Sequence, residues 1–183
     1  MDTDSADTPP TGTGPHLALI DDLLARPYPA GEESEDSGVR SSGPGHHLLI
    51  LRASRDFWDD GSPELVEPAE QEIEADFSAL ATALTERWGE PETVDLWPFL
   101  DDDPDAGDGT GDDGPGDGGP GGEGGYGGLV PEPMGQLCNL AGSMQVWRVP
   151  GGTRWLGLAV GQADPEFPIW LLAAVGETAA LPA

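Results

Sequence analysis

Four aspartates near the middle of the chain have the spacing of a calcium-binding loop. Asp101, Asp103, Asp105 and Asp112 fall where the first, third, fifth and last oxygen ligands of an EF-hand loop would stand. The sequence departs from that pattern because the turn position holds alanine instead of glycine, the last ligand is the shorter Asp, and no helix-forming segment follows. Calcium binding is therefore an alternative hypothesis, and a flexible acidic linker is the leading interpretation of residues 101–128.

Few other residues have a pattern that indicates chemistry. His46 and His47 are adjacent, so on a strand they would point to opposite faces and would not chelate one ion together. Cys138 stands between apolar neighbours and is expected to be a small buried residue. Neither a GxSxG nucleophile elbow nor a GxxxxGK[ST] phosphate loop occurs. We predict a protein without catalytic residues, resident metal or cofactor; an enzyme whose carboxylate site is not recognisable from sequence is an alternative.

Acidic residues greatly outnumber basic ones. The 183 residues include 35 Asp and Glu against 7 basic residues, all of them Arg, for a formal net charge of -28. Such a chain lacks the cations that bind phosphates and anionic lipids, so the composition argues against nucleic acid and membrane surfaces as partners and favours a basic protein. No apolar run approaches the roughly 20 residues that span a bilayer. The acidic start does not resemble a signal peptide, so we expect a soluble, cytoplasmic protein.

The clearest secondary-structure signal is an amphipathic helix that begins at Pro68 and ends before Gly89. Pro68 suits the first helical turn, and Gly89 followed by Pro91 forms a stop signal. The apolar residues that recur every three or four positions are Ile73, Phe77, Leu80, Leu84 and Trp88. This periodicity places them on one buried face of the helix.

Five strands are predicted around this helix. The apolar run His46–Ala53 precedes it and Thr93–Leu100 follows it, with a short helical turn expected near residues 131–142. The last third reads as a meander whose three strands cover residues 143–149, 154–162 and 168–176. Together these elements predict an α+β fold in which one main amphipathic helix packs on a largely antiparallel sheet.

Composition divides the chain into a folded part and acidic appendages. Residues 1–45 are rich in polar residues, Gly and Pro, and are predicted to be a disordered acidic tail that contains a short amphipathic helix near residues 16–26. Residues 46–177 are predicted to form a single domain, interrupted by a disordered insertion at 101–128. Residues 178–183 form a C-terminal tail. The insertion carries nine acids and no base, and the rest of the chain remains acidic without it.

The meander is apolar on both faces. If the PGGT turn pairs Trp147 with Leu156 and Arg148 with Trp155, the face assigned to the main helix comprises Trp147, Val149, Leu156, Leu158, Val160, Trp170 and Leu172. The other face comprises Met144, Val146, Trp155, Ala159, Leu171 and Val175. A sheet with one helix layer usually has a polar outer face, so this second face needs a cover. The helix near residues 16–26, a second copy in a homodimer, and a different protein are all open possibilities.

Three segments carry a resemblance: TERWGEP, VPEP and MQVWRVPGGTRWLGLAVGQADPEFPIWLLAAVGE. With these the chain resembles an uncharacterised family of small acidic actinobacterial proteins, over residues 65–100 and 130–177. The resemblance implies no activity, cofactor or catalytic residue.

These features predict a small acidic interaction protein that binds a basic partner, for which an immunity- or antitoxin-like role that masks a cationic effector is one form. The second face contributes candidate contacts because Trp and Arg are enriched where binding energy concentrates, and a cation–π contact of Arg148 with Trp155 is expected there. Acids of the main helix are expected to contribute electrostatically. The two sets are Met144, Arg148 and Trp155 on the face, and Glu70, Glu74 and Asp76 on the helix.

Overall fold

One antiparallel sheet organises the fold. The computed structural model describes residues 12–34, 38–99 and 132–181, and within them seven strands pair in the order β1-β2-β3-β7-β6-β5-β4. The strands are β1 (Glu33–Ser34), β2 (Arg40–Gly43), β3 (His46–Ala53), β4 (Glu92–Asp95), β5 (Ser143–Arg148), β6 (Arg154–Gly161) and β7 (Trp170–Glu177). A long helix packs on this sheet, which confirms the predicted α+β fold class.

Three helices accompany the sheet in the described residues: α1 (Thr13–Ala25), α2 (Pro63–Trp88) and α3 (Met134–Leu137). Short 3-10 turns occupy Trp97–Phe99 and Thr178–Ala180. None of the helices in these parts of the chain is both long and apolar enough to cross a membrane.

The main helix begins at Pro63, so the predicted start at Pro68 is wrong. The carbonyl of Ser62 accepts hydrogen bonds from the N–H groups of Leu65 and Val66 at 3.0 Å, which starts the first turn there. Pro63 is the proline that occupies this turn, and Pro68 lies inside the helix. The predicted end is confirmed, because Gly89 follows Trp88 with a φ of 94°, a conformation that favours glycine.

The predicted strand Thr93–Leu100 is shorter in the structure. It ends at Asp95, where the side-chain Oδ1 accepts a hydrogen bond from the N–H of Trp97 at 3.1 Å. An aspartate that bonds two residues ahead turns the backbone away from a strand. The chain then forms the 3-10 turn at Trp97–Phe99.

Part of the predicted disordered tail belongs to the fold, which corrects the boundary at residue 45. The helix expected near 16–26 is α1, and Ile20 and Leu23 are buried in the main core. The next segment adds β1 and β2 to the sheet edge beside β3. Backbone hydrogen bonds hold these polar strands, and such bonds need no apolar side chains, so composition did not reveal them.

A core of apolar side chains lies between the sheet and the helices α1 and α2. Trp147, Leu156 and Leu158 face these helices, as predicted, and the pairings of Trp147 with Leu156 and Arg148 with Trp155 are confirmed. The predicted faces of β7 are reversed, because Leu171 and Val175 lie in this core. The loop between β6 and β7 is longer than the PGGT turn, and a one-residue shift in register exchanges the two faces.

The second face of the sheet is covered by the chain itself. Trp155, Met144, Trp170 and Leu172 lie on this side. The segment around α3 and the residues after β4 pack over it, with the following buried side chains: Leu96, Met134, Leu137, Cys138 and Ala141. Cys138 is therefore a buried residue, as expected, and burial raises the pKa of its thiol. None of the three covers that the sequence left open occupies this face, since α1 packs on the opposite side of the sheet and other segments of the same chain lie here.

Trp155 packs closely on two glycines in the second core, which is the apolar cluster on the second face of the sheet. The indole Nε1 of Trp155 donates a hydrogen bond to the carbonyl of Glu177 at 3.0 Å. A Cβ added to Gly176 would lie 2.6 Å from Trp155 Cζ2, and one added to Gly157 would lie 3.1 Å from Cζ3. The ring therefore fits because Gly176, which pairs with Trp155 from β7, and Gly157, two residues further along β6, lack side chains.

We predict that Gly176→Ala destabilises the protein by about 1–3 kcal/mol, the usual cost of overpacking a core. Urea unfolding followed by tryptophan fluorescence would measure the change. Gly14→Ala is the control, because a Cβ at this exposed helical position meets nothing within 4 Å. It should leave stability unchanged or raise it by up to about 1 kcal/mol. Equal stability of Gly176→Ala and the native chain would contradict the packing argument.

Candidate binding groove

The helices leave part of the sheet open. α2 packs on β5, β6 and β7, and α1 packs on β3 and β7, whereas neither helix has its main contacts on β4. A groove of about 690 Å³ lies there between α2 and the sheet. Its lining includes Glu74 and Phe77 from α2, Thr93 and Asp95 from β4, and Gln145 from β5.

Two further hollows continue this groove along α2. One of about 510 Å³ shares Glu74, Gly142 and Val160 with the first groove. The other hollow, of about 530 Å³, shares Glu70 and Gln162 with the hollow of about 510 Å³ and reaches the loop after β3. We call the three together the acidic groove.

All the ionisable side chains that line the acidic groove are carboxylates. They are Asp59, Asp60, Glu67, Glu70, Glu74, Asp95 and Glu166. None of them forms an ion pair with any described residue. Two also shape the backbone, since Asp95 accepts a bond from the N–H of Trp97 and Asp60 accepts one from the N–H of Ser62 at 2.9 Å. The groove therefore concentrates negative charge without a cation of its own.

An exposed tryptophan lies at each end of the acidic groove. Trp97 lines the first hollow and its side chain is 63% exposed, whereas Trp58 lines the last and is 56% exposed. Trp58 stacks edge-on against Phe167 with ring centroids 4.9 Å apart, and the indole of Trp97 lies against Gly142. Both rings thus have a supported position together with a face in solvent.

The structure separates the predicted acids of the main helix. Glu70 and Glu74 both line the acidic groove. Asp76 does not, because it forms an ion pair with Arg52 of β3, which also pairs with Glu72 at 2.9 Å. Asp76 is therefore less available to a partner than Glu70 and Glu74, since Arg52 of the same chain pairs with its charge.

Of the residues predicted on the meander face, Met144 lines the acidic groove but is buried, and Arg148 and Trp155 do not line it. Met144 and Trp155 are 2% and 1% exposed and belong to the second core. Arg148 is exposed, and its guanidinium forms an ion pair with Glu92 of β4 at 3.1 Å. The cation–π contacts in the described chain are those of Arg87 with Trp88 and Arg154 with Tyr28, so the expected contact of Arg148 with Trp155 is wrong.

A serine–histidine contact lies away from the groove. His47 Nδ1 is 2.7 Å from Ser42 Oγ, and both residues are buried. None of the hollows described above is lined by either residue. The second ring nitrogen of His47 contacts the carbonyl of Arg26 at 3.3 Å, and no carboxylate bonds to the ring. This geometry ties structural elements together and does not present a nucleophile to a substrate.

The described residues contain no group of three or more His, Cys, Asp or Glu side chains that could hold a metal ion. The proposed calcium ligands Asp101, Asp103, Asp105 and Asp112 lie outside the described residues.

Sequence reasoning did not identify Trp58, Trp97 or Asp95 as site residues. Trp97 falls in the predicted strand Thr93–Leu100, where it would be an ordinary packing residue, and Trp58 lies outside the predicted helix and strands. The sequence signal that could have identified them is the acidic residues close to each tryptophan. Asp59 and Asp60 follow Trp58, and Asp95 stands two residues before Trp97. An aromatic residue beside acids at a turn suits a surface more than a core.

A scan of family models found no match to the chain, and comparisons with curated proteins and with solved structures found none either. The arguments about function therefore depend on the chain's own geometry.

The carboxylates of the acidic groove are expected to reduce stability. Glu70 and Glu74 stand four residues apart on one helix, where like charges repel by about 0.2–0.5 kcal/mol. We predict that Glu70→Gln with Glu74→Gln stabilises the protein by that amount at low salt. The gain should vanish near 1 M salt, where the Debye length is about 3 Å.

Urea unfolding at the two salt concentrations would measure this effect. Glu72→Gln is the matched control, because it removes a partner of Arg52 from the same helix and should not stabilise the protein. A loss of stability in the Glu70→Gln, Glu74→Gln variant would show that these carboxylates have favourable partners.

Proposed function

We propose that this protein binds a basic segment of another protein in the acidic groove and catalyses no reaction. The observation that supports the proposal is a row of carboxylates without a cation, flanked by two exposed tryptophans. One form of this function is an immunity- or antitoxin-like role, in which the groove masks the cationic surface of an effector.

Electrostatics favours a cationic partner at this place over other charged parts of the surface. Carboxylates that line a concave surface focus the potential and raise the local concentration of cations. Several other acids of the fold are paired with arginine, for example Asp21 with Arg87 at 2.9 Å. Glu70, Glu74 and Asp95 have no such pairing, so a bound cation does not have to displace an internal one.

The tryptophans favour arginine as the cation. A guanidinium can stack on an indole face and bond a carboxylate with two parallel N–H groups, and an ammonium group lacks this planar geometry. A cation–π contact at an exposed site contributes roughly 0.5–1 kcal/mol. Trp97 and Asp95 line the same hollow, and Trp58 lines one with Asp59 and Asp60, so each end offers both contacts.

The shape of the acidic groove favours a polypeptide over a small molecule. Small-molecule sites are usually concave, mostly apolar and deeply enclosed. The three adjoining hollows instead run along α2 and contain carboxylates throughout. Nucleic acid is a poor occupant because its phosphates would meet these carboxylates.

A binding experiment with matched variants tests the proposal. A fluorescein-labelled peptide of alternating Arg and Ser residues would be titrated with the full-length protein by fluorescence anisotropy. The groove variant removes three charges: Glu70→Gln, Glu74→Gln and Asp95→Asn. Asparagine retains an oxygen that can accept the bond from the N–H of Trp97. We expect the affinity of the groove variant to fall at least about tenfold, equivalent to about 1.4 kcal/mol.

The control variant removes the same number of charges from exposed carboxylates outside the acidic groove: Glu32→Gln, Glu33→Gln and Glu86→Gln. Its affinity should change by less than about threefold, because screened charges beyond about 10 Å contribute little. Equal losses of affinity in the two variants would show that net charge alone determines peptide binding, and would contradict binding in the acidic groove. A peptide with Lys in place of Arg should bind less tightly, and Trp97→Ala should diminish that preference.

A further inference from the structure

The end of α1 is held by an arginine from the opposite end of the chain. α1 has no basic residue in its last turn, so its final carbonyls lack a nearby cation of their own helix. Arg154 of β6 supplies one, since its Nη1 donates to the carbonyls of Leu24 at 2.5 Å and Arg26 at 2.7 Å. A cation at this position also interacts favourably with the negative end of the helix dipole.

The adjacent histidine, His47, is buried beside hydrogen-bond partners that accommodate its neutral form. His47 is 0% exposed, and its Nε2 lies 3.3 Å from the carbonyl of Arg26. A carbonyl can only accept a hydrogen bond, so Nε2 carries the proton. Nδ1 then accepts a bond from the hydroxyl of Ser42, whose Oγ is 2.7 Å away. Both ring nitrogens therefore have partners that suit a neutral imidazole.

Tyr28 packs against both of these residues just after α1. Its ring centroid is 5.0 Å from that of His47, and the guanidinium carbon of Arg154 is 4.1 Å from the Tyr28 centroid. Burial raises the pKa of Tyr28. The three side chains His47, Tyr28 and Arg154 connect the end of α1 to β3 and β6, and we call them the α1 latch.

The charges around the α1 latch oppose protonation of His47. Burial lowers the pKa of His47, the guanidiniums of Arg154 and Arg26 lower it further, and the Arg26 carbonyl acts against them. His46 precedes it on the same strand and adds no negative charge. On the neighbouring elements Glu177 of β7 is paired in register with Arg154, and Glu33 of β1 with Ser42. Neither carboxylate bonds to the imidazole.

We propose that the α1 latch is an acid-sensitive switch that docks α1 and residues 26–34 on the sheet at neutral pH and releases them as the pH falls. A docked His47 must remain neutral beside two guanidiniums. When α1 and residues 26–34 are released, the imidazole of His47 stays on β3 and meets water, where the pKa of a histidine is near 6.5. The released state therefore binds more protons, and the equilibrium for release rises by up to about tenfold per pH unit below about pH 6.5.

Release would change the surface of the protein. Ile20 and Leu23 of α1 are 0% and 1% exposed in the core that also contains Trp147. When α1 leaves, these side chains and the sheet face beneath them meet solvent. Acid would thus create an apolar surface on the helix-covered side of the sheet, independently of whether the acidic groove holds a ligand.

Amide hydrogen exchange by NMR tests the latch on the full-length protein between about pH 7.5 and about pH 5.5, the range that brackets histidine titration. After correction for intrinsic exchange, protection of the hydrogen-bonded amides of α1 and of the Arg26 amide, which donates to the carbonyl of Asp22 at 3.1 Å, should fall by up to about tenfold per pH unit below about 6.5. The amides of β6 and β7 should keep their protection. The His47 imidazole resonances would be followed in the same samples.

Two variants complete the test. His47→Gln cannot titrate and should abolish the pH dependence of α1 protection, whereas His46→Gln makes the same change at the neighbouring residue and should preserve it. Constant protection of α1 across the range in the native chain would overturn the proposal, as would equal loss in β6 and β7. An unchanged pH dependence in His47→Gln would also overturn it. If His47→Gln leaves α1 undocked at every pH, the variant gives no comparison. The pH dependence of α1 protection in the native chain then tests the proposal by itself.

Discussion

The strands β5, β6 and β7 are apolar on both faces, and the rest of the fold supplies their covers. Trp147 on one face and Trp155 on the other are each 1% exposed. α1 and α2 cover the first face, and the residues after β4 together with the segment around α3 cover the second. Burial of large aromatic side chains is the main favourable term in such a small fold. Phe99 and Met134 both pack in the layer that covers the second face.

The few cations of the chain are used to join elements. Arg52 links β3 to α2, Arg87 links α2 to α1, and Arg148 links β5 to β4. Exposed ion pairs of this kind contribute little stability individually. They matter here because they occupy arginines, and the chain has only 7 basic residues. The carboxylates beside the open part of the sheet are left without partners, which gives the acidic groove its charge.

Polar contacts with defined geometry hold α1 in place. Arg154 bonds the carbonyls of Leu24 and Arg26 at the end of this helix, and the neutral His47 bonds to both the Ser42 hydroxyl and the Arg26 carbonyl. Buried polar groups are costly unless they are paired, so these contacts favour one docked position over alternatives. The same requirement makes docking sensitive to the protonation state of one imidazole. The groove and the latch thus depend on different residues and different elements.

The sequence alone determined the fold class, the main helix from Ile73 to its stop at Gly89, and the register across the PGGT turn, because periodicity and short turns are local properties. It also determined the acidity, but not where unpaired acids gather. Tertiary structure decided that Glu70 and Glu74 line a groove while Asp76 is paired with Arg52. It also decided the faces of β7 and the cover over Trp155. These outcomes depend on contacts between residues far apart in the chain, where a one-residue shift or a distant arginine changes the result.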